Sequence, residues 1–268
     1  MRGADLSYAN LREANLSGAD LKDACLDGAD LYKANLSRAN LQGTRLAKTN
    51  LKEANLLRAS FEGALLEGAF LTKAMMSRAN LQAAFLMGAH LNEADLSYAN
   101  LSNAYLDGAY LLEANLSKAT LTEASLIDTL LSGANLSGAN FNGGFYSDKT
   151  NFDAGVNANS LGLRKVKNIT LEELLGTFKH LSDCSSRYFG NKMAAEYWES
   201  SRPDIEWLQQ FQIDSSGQIT FSGTMSEPLT FYKLRSCQKW IDKYIKSCSA
   251  IVQEFPTFID HSKLEFYQ

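Results

Sequence analysis

The 268-residue sequence predicts a thin repeat solenoid followed by a separate, mostly helical domain. Three observations carry this expectation. From Ala4 to Ala139 every fifth residue is Ala, with Thr44, Thr49 and Thr129 as the exceptions, and two residues after each stands Leu, replaced only by Phe61, Met76 and Phe141. That makes 28 consecutive units in one register, and neither the 3.6 period of a helix nor the 2.0 period of a strand fits a beat of five. Second, the beat disappears after Gly162 and helical spacing replaces it, so the chain divides into residues 1–155 and 156–268. Third, 45% hydrophobic and 21% charged residues, a net charge of −4 and only three prolines describe a folded chain, not a disordered or collagenous one.

Two apolar positions per unit, one small and one long, imply a narrow core in which each backbone segment turns inward in the same way. Units such as Ala14-Asn15-Leu16-Ser17-Gly18 and Ala94-Asp95-Leu96-Ser97-Tyr98 resemble the A-(D/N)-L-x-x repeat of the pentapeptide repeat family. The resemblance implies a mainly β fold for residues 1–155, a right-handed quadrilateral β-helix with four units per coil. Its 28 units then make about seven coils at ~4.8 Å spacing, with Leu and Ala inside. Phe145 to Phe152 slips the phase by one residue and is similar to the closing segment of such proteins.

With twenty residues per coil, outward positions twenty apart share a face, and four surfaces can be read. One carries Leu65, Phe85 and Tyr105 with Met87 and Ile127; its neighbour carries Phe70, His90, Tyr110 and Leu130 beside Leu112. A third offers Leu57, Met75 and Tyr98, and the fourth no large apolar residue. A contiguous apolar patch marks a contact surface, covered by the rest of the same chain or by a partner protein. Glu13, Lys33, Glu53, Lys73 and Glu93 alternate in sign along one corner and read as a cross-coil ion-pair ladder. Arg38, Arg58, Arg78 and Lys118 share another corner, a basic edge that reads first as solvated and second as a contact for phosphates or an acidic partner.

In the second half, Thr170-Leu171-Glu172-Glu173 is a capping box opening a helix that carries Leu171, Leu174, Leu175, Phe178 and Leu181 at helical intervals. Ser186–Ser200 reads as helix weakened at Gly190, and Pro203 as the start of a short helix carrying Ile205, Leu208 and Phe211. A short β-hairpin is expected around Ser215-Ser216-Gly217. Pro228–Phe255 is read as the clearest helix, with a stripe of Leu234, Cys237, Ile241, Tyr244, Cys248, Ile251 and Phe255. That stripe is expected to pack within its own domain, against a second copy as a helix seam, or along the rod.

The chemistry of an enzyme is thin here. No phosphate-binding glycine loop is present, and the four cysteines, Cys25, Cys184, Cys237 and Cys248, lack metal-ligand spacing. His180 and Cys184 lie one helical turn apart, His90 interrupts an aromatic column and His261 is solitary. No cofactor or metal is expected. The absence of an apolar run of about 18–20 residues and of a signal peptide points to a reduced, cytoplasmic setting without a membrane, and the family resemblance implies a bacterium. The primary expectation is a non-enzymatic protein-interaction scaffold or regulatory adaptor, with another protein as partner. Homo-oligomers through the uncapped N-terminal coil or the C-terminal helix are a further expectation. Some pentapeptide repeat proteins imitate duplex DNA and occupy a topoisomerase, but 16 acidic against 13 basic residues in positions 1–150 disfavours that alternative and nucleic acid as a partner. The remaining alternative is an enzyme with an unrecognised site in the C-terminal domain.

Overall fold

The computed structural model describes residues 1–167, 169–223, 229–259 and 264. The chain forms two compact units, Met1–Val166 and Lys167–Gln268.

In the first unit the five-residue beat becomes a four-sided parallel coil. Each outward residue between Ala and Leu bridges its equivalent twenty positions on, from Asp5 with Cys25 through Ser125 with Phe145. Two alternating hydrogen bonds build this ladder: Leu86 N–H donates to Tyr105 C=O (2.7 Å) and Tyr105 N–H donates to Ala84 C=O (2.9 Å). At the corner Gly88 N–H donates to Asp107 C=O of the next coil (2.9 Å), and Ala89 N–H closes the turn by donating to Leu86 C=O (3.0 Å). Only one residue per side pairs in this way, so the strand content is lower than a mainly β label implies.

The sequence rules for each position follow from this geometry. The Leu positions from Leu21 to Leu131 are at most 1% exposed, which leaves no room beside them for anything much larger than Ala. Where Thr replaces Ala, its hydroxyl finds the carbonyl of the neighbouring coil: Thr44 donates to Leu21 C=O (2.9 Å), Thr49 to Leu26 (2.7 Å) and Thr129 to Leu106 (2.8 Å). Asn or Asp before Leu accepts the backbone N–H two residues on, as Asn35 does from Ser37 (3.1 Å), and so fixes the corner as an Asx turn. The corner residue itself is left-handed throughout, with φ from 55° to 72° between Gly3 and Gly143.

The last coil is closed from the C-terminal side. Strand β1 (Phe145–Tyr146) pairs in parallel with β2 (Arg164–Lys165). The phase slip is visible as a bridge from Leu130 to Asn151, twenty-one positions on. Thr150 takes the inward place and donates to Leu126 C=O (2.7 Å). A short 3-10 turn, Ala158–Leu161, then brings Leu161 and Leu163 onto the end of the core. Arg164 lies over the Phe145 ring (4.4 Å), pairs with Glu123 (2.9 Å) and donates to Gly143 C=O (2.7 Å). Residues 156–166 thus cover the end of the last coil and fall within the first unit.

The second unit packs three helices and a hairpin around aromatic side chains. Helix α1 (Leu171–Phe189) starts at the Thr170–Glu173 capping box. Gly190, at φ 75°, separates it from α2 (Asn191–Ser201). The segment after Pro203 is a 3-10 turn, Glu206–Gln210, because Phe211 leaves it to pair with Phe221 in the hairpin of β3 (Phe211–Ile213) and β4 (Ile219–Phe221). Helix α3 spans Phe231–Ser249, shorter than expected, with Thr230 as its cap; Pro228 and His261 lie outside the described residues. Trp198 stacks on Tyr244 at 3.5 Å and meets Phe178 edge-on at 5.3 Å. Its indole N–H donates to Ser182 Oγ (2.8 Å), which in turn donates to Gly217 C=O (2.7 Å) and ties the hairpin turn to α1. Trp240 N–H donates to Trp198 C=O (3.0 Å), so these indoles are buried without a lost hydrogen bond.

The helix-seam expectation needs correction here. Leu234, Cys237, Ile241, Tyr244 and Cys248 are at most 2% exposed within this core. Ile251 lies beyond the end of α3 and is 60% exposed, while Phe255 is buried from a following 3-10 turn, Phe255–Phe258. The stripe is consumed by its own unit because it faces the indoles of Trp198 and Trp240.

Candidate protein-interaction faces

The ladder that builds the rod also stacks the expected partner-binding residues. Leu65, Phe85 and Tyr105 form one column, Phe70, His90, Tyr110 and Leu130 the next. Phe85 and Tyr105 lie 5.0 Å apart at 16°, Phe70 and His90 5.2 Å at 20°, and His90 and Tyr110 4.7 Å at 3°. The ring spacing matches the spacing of adjacent backbones, so stacking costs no distortion of the coil. Elsewhere on the rod the same column positions hold amide ladders, such as Asn50 donating to Asp30 (2.8 Å) and Asn100 to Asn80 (3.1 Å).

Burial within the patch is uneven. Leu65, Phe70, Phe85, Met87, His90, Leu112, Ile127 and Leu130 are half-buried, Tyr105 is buried and Tyr110 is exposed. Gly68, Gly88 and Gly108 occupy the corner between the two columns at φ 61° to 65°, and a Cβ at Gly88 or Gly108 would meet nothing within 4 Å. The corner is thus bare at Gly88 and Gly108. Asp107 stands beside Gly108 and accepts a hydrogen bond from the fully buried Ser125 hydroxyl; burial pushes its carboxyl up to about 6.

The charged corners resolve into two different arrangements. The expected continuous ladder is two separate pairs, Lys33 with Glu53 (3.5 Å) and Lys73 with Glu93 (3.3 Å), since each ammonium reaches only one neighbour. On the basic edge, Lys118 Nζ donates to the Tyr98 hydroxyl (3.1 Å) and holds that phenol below its ordinary pKa, while Arg78 lies 5.3 Å from the same ring. Among the described residues none of Arg38, Arg58, Arg78 and Lys118 forms an ion pair.

The third face was read from the sequence but not counted among the partner-binding residues. Leu57, Met75 and Tyr98 are 40%, 49% and 49% exposed, more than any member of the two aromatic columns. In the second unit, Cys184 Sγ lies 3.9 Å from His180 Nε2 on successive turns of α1. The described residues contain no group of His, Cys, Asp or Glu that could hold a metal ion, and no helix long and apolar enough to cross a membrane.

A parallel coil with an Ala and a Leu inside every side and variable residues outside defines a repeat solenoid that presents flat, indexed faces. Residues 1–38, 34–72, 54–92, 74–111 and 114–144 match the family model for pentapeptide repeats. The chain belongs to the pentapeptide repeat family, whose members form right-handed β-helices and are generally non-enzymatic scaffolds or regulators. Three solved structures are similar to it. HetL, a pentapeptide repeat protein involved in heterocyst differentiation regulation from the cyanobacterium Nostoc sp. strain PCC 7120, is 38% identical over 50% of this chain and 71% of that one, with a TM-score of 0.40. QnrB1, a plasmid-mediated fluoroquinolone resistance protein, is 22% identical over 60% and 81%, with a TM-score of 0.48. Rfr23, a pentapeptide repeat protein from the cyanobacterium Cyanothece 51142, is 30% identical over 42% and 88%, with a TM-score of 0.32. No curated protein matches the chain.

Proposed function

We propose that this protein is a non-enzymatic interaction scaffold or adaptor of the bacterial cytoplasm, whose rod of about seven coils offers its two aromatic faces to another protein. The observation that supports this reading is the pair of stacked columns, Phe85–Tyr105 and Phe70–His90–Tyr110, set on adjoining faces across a bare glycine corner. Aromatic side chains in such an array present large area at little conformational cost, the composition favoured at protein contacts. The DNA-mimic reading loses further ground, because the unpaired cations of the Arg38 edge would oppose a basic DNA channel.

The test replaces Phe85 and Tyr110 by Asn, the residue that the repeat normally carries at these positions, and confirms folding by circular dichroism. Affinity capture from the source lysate is expected to recover one specific protein with the parent chain and to lose it with the variant. Equal recovery from the folded variant would remove the aromatic faces as the partner site.

A further inference from the structure

A second surface of the rod has the composition of a docking site and is not part of the aromatic faces. The corner residue at every twentieth position from 38 to 118 is Arg38, Arg58, Arg78, Tyr98 and Lys118. The four cations among them are exposed and, among the described residues, form no ion pair, whereas Arg2, Arg12, Lys33, Arg45 and Lys73 each reach a carboxylate of the rod. A row of like charges at this spacing repels itself; among the described residues no carboxylate pairs with it, and Arg78 and Lys118 lie against the Tyr98 ring at 5.3 and 5.2 Å. Beside the row, Leu57 and Met75 expose large apolar side chains on two successive coils, and Tyr98 adds an exposed ring from within the row on the next.

We propose that this strip docks an acidic amphipathic helix of a partner protein, laid along the rod with its apolar face on Leu57, Met75 and Tyr98 and its carboxylates over the arginines. Length favours a helix. Four coil steps from Arg38 to Lys118 span ~19 Å at ~4.8 Å per coil, and an α-helix presents one side again every ~5.4 Å. The two repeats drift apart by only about 2–3 Å over the strip, a gap that flexible arginine side chains close. Phosphates on one DNA strand recur at a different interval, and a duplex would read the charges without using the apolar row. The helix instead uses both, with the guanidinium forks matching carboxylates and the apolar row excluding water around them.

The experiment uses the full chain and fluorescence anisotropy. The probe is a labelled peptide of about four helical turns, with leucines along one side and glutamates flanking them. Saturable binding is expected, falling with added salt and weakened about tenfold or more by Arg58→Gly with Arg78→Gly, and separately by Leu57→Ser with Met75→Ser. Glycine suits the left-handed corner, so the charge variant keeps its fold, and thermal melting followed by circular dichroism verifies this. A shuffled peptide of the same composition is expected to bind about tenfold more weakly. Absence of saturable binding, equal binding of the shuffled peptide, or insensitivity to both variant pairs would overturn the proposal. Tighter binding of a random-sequence DNA duplex, unaffected by Leu57→Ser with Met75→Ser, would overturn it too and assign the edge to nucleic acid. The outcome is separable from that of the aromatic faces, since Phe85→Asn with Tyr110→Asn leaves this strip untouched.

Discussion

Eighteen non-glycine residues hold the left-handed corner conformation, and those other than Asn and Asp carry a cost of roughly 1–2 kcal/mol that glycine would not. Ala83, at φ 55°, isolates this term because its side chain makes no charged contact. Ala83→Gly is therefore expected to stabilise the rod by about 1 kcal/mol, the reverse of the usual sign for this substitution, as read by denaturant unfolding. Asp107 shows a second local cost. Its folded pKa of about 6 stands above the ordinary 3.8, so above pH 6 both states are ionised and folding bears the cost of a buried charge. As pH falls from 6 toward 4, the folded chain takes up a proton that the unfolded chain does not yet bind, and stability rises. Asp107→Asn is expected to raise the melting temperature at pH 7.5, with the gap closing by pH 4. The inward Ala and Leu were fully legible in the sequence, because a strict period leaves them no other place. The hydrogen bonds of Thr44, Thr49 and Thr129 were not, since they depend on a carbonyl one coil away.

At the level of elements, local signals succeeded where they were self-contained. The Thr170–Glu173 box satisfies its own donors, and the hairpin turn is closed by Asp214, which accepts from Ser216 (2.8 Å) and Gln218 (3.0 Å). They failed where a distant partner decided. Phe211 was expected on a helix but is drawn into β3 by Phe221, and α3 ends at Ser249 although its apolar spacing continues to Phe255. The buried stripe of α3 has a chemical consequence. Cys237 and Cys248 are fully enclosed, and burial raises both thiols, Cys248 to about 12. A thiol-reactive dye at pH 8 is expected to label Cys25 and Cys184, which are half-buried, in the native protein. Cys237 and Cys248 should react only after denaturation, and their labelling at native rates would contradict this packing.

Across the whole rod, each coil touches only its neighbours, so protection is set by how completely the inward residues are covered. Leu6 and Leu11 are half-buried, whereas the inward residues of 60–120 are fully buried. Hydrogen exchange followed by mass spectrometry is expected to show slow amides across 60–120 and faster ones in 1–20, and a uniform profile would argue against coil-by-coil opening. The aromatic columns were legible from the twenty-residue sorting alone, while the exposure of Leu57, Met75 and Tyr98 was not, because exposure depends on the side chains of three coils together. The left-handed corner makes one further demand on the molecule. Every side of the rod takes the same five residues, so the chain works as a dial, and the direction in which a residue points is fixed by how many residues precede it. Removing Leu81–Asn100 takes out one full revolution and is expected to leave every remaining column aligned. Removing only Leu81–Phe85 advances the dial by a quarter revolution, and Tyr110 then falls in line with Leu65 instead of Phe70. Insertions and deletions in such a chain are therefore rotations, and the surface it shows can be recomposed without altering a single side chain.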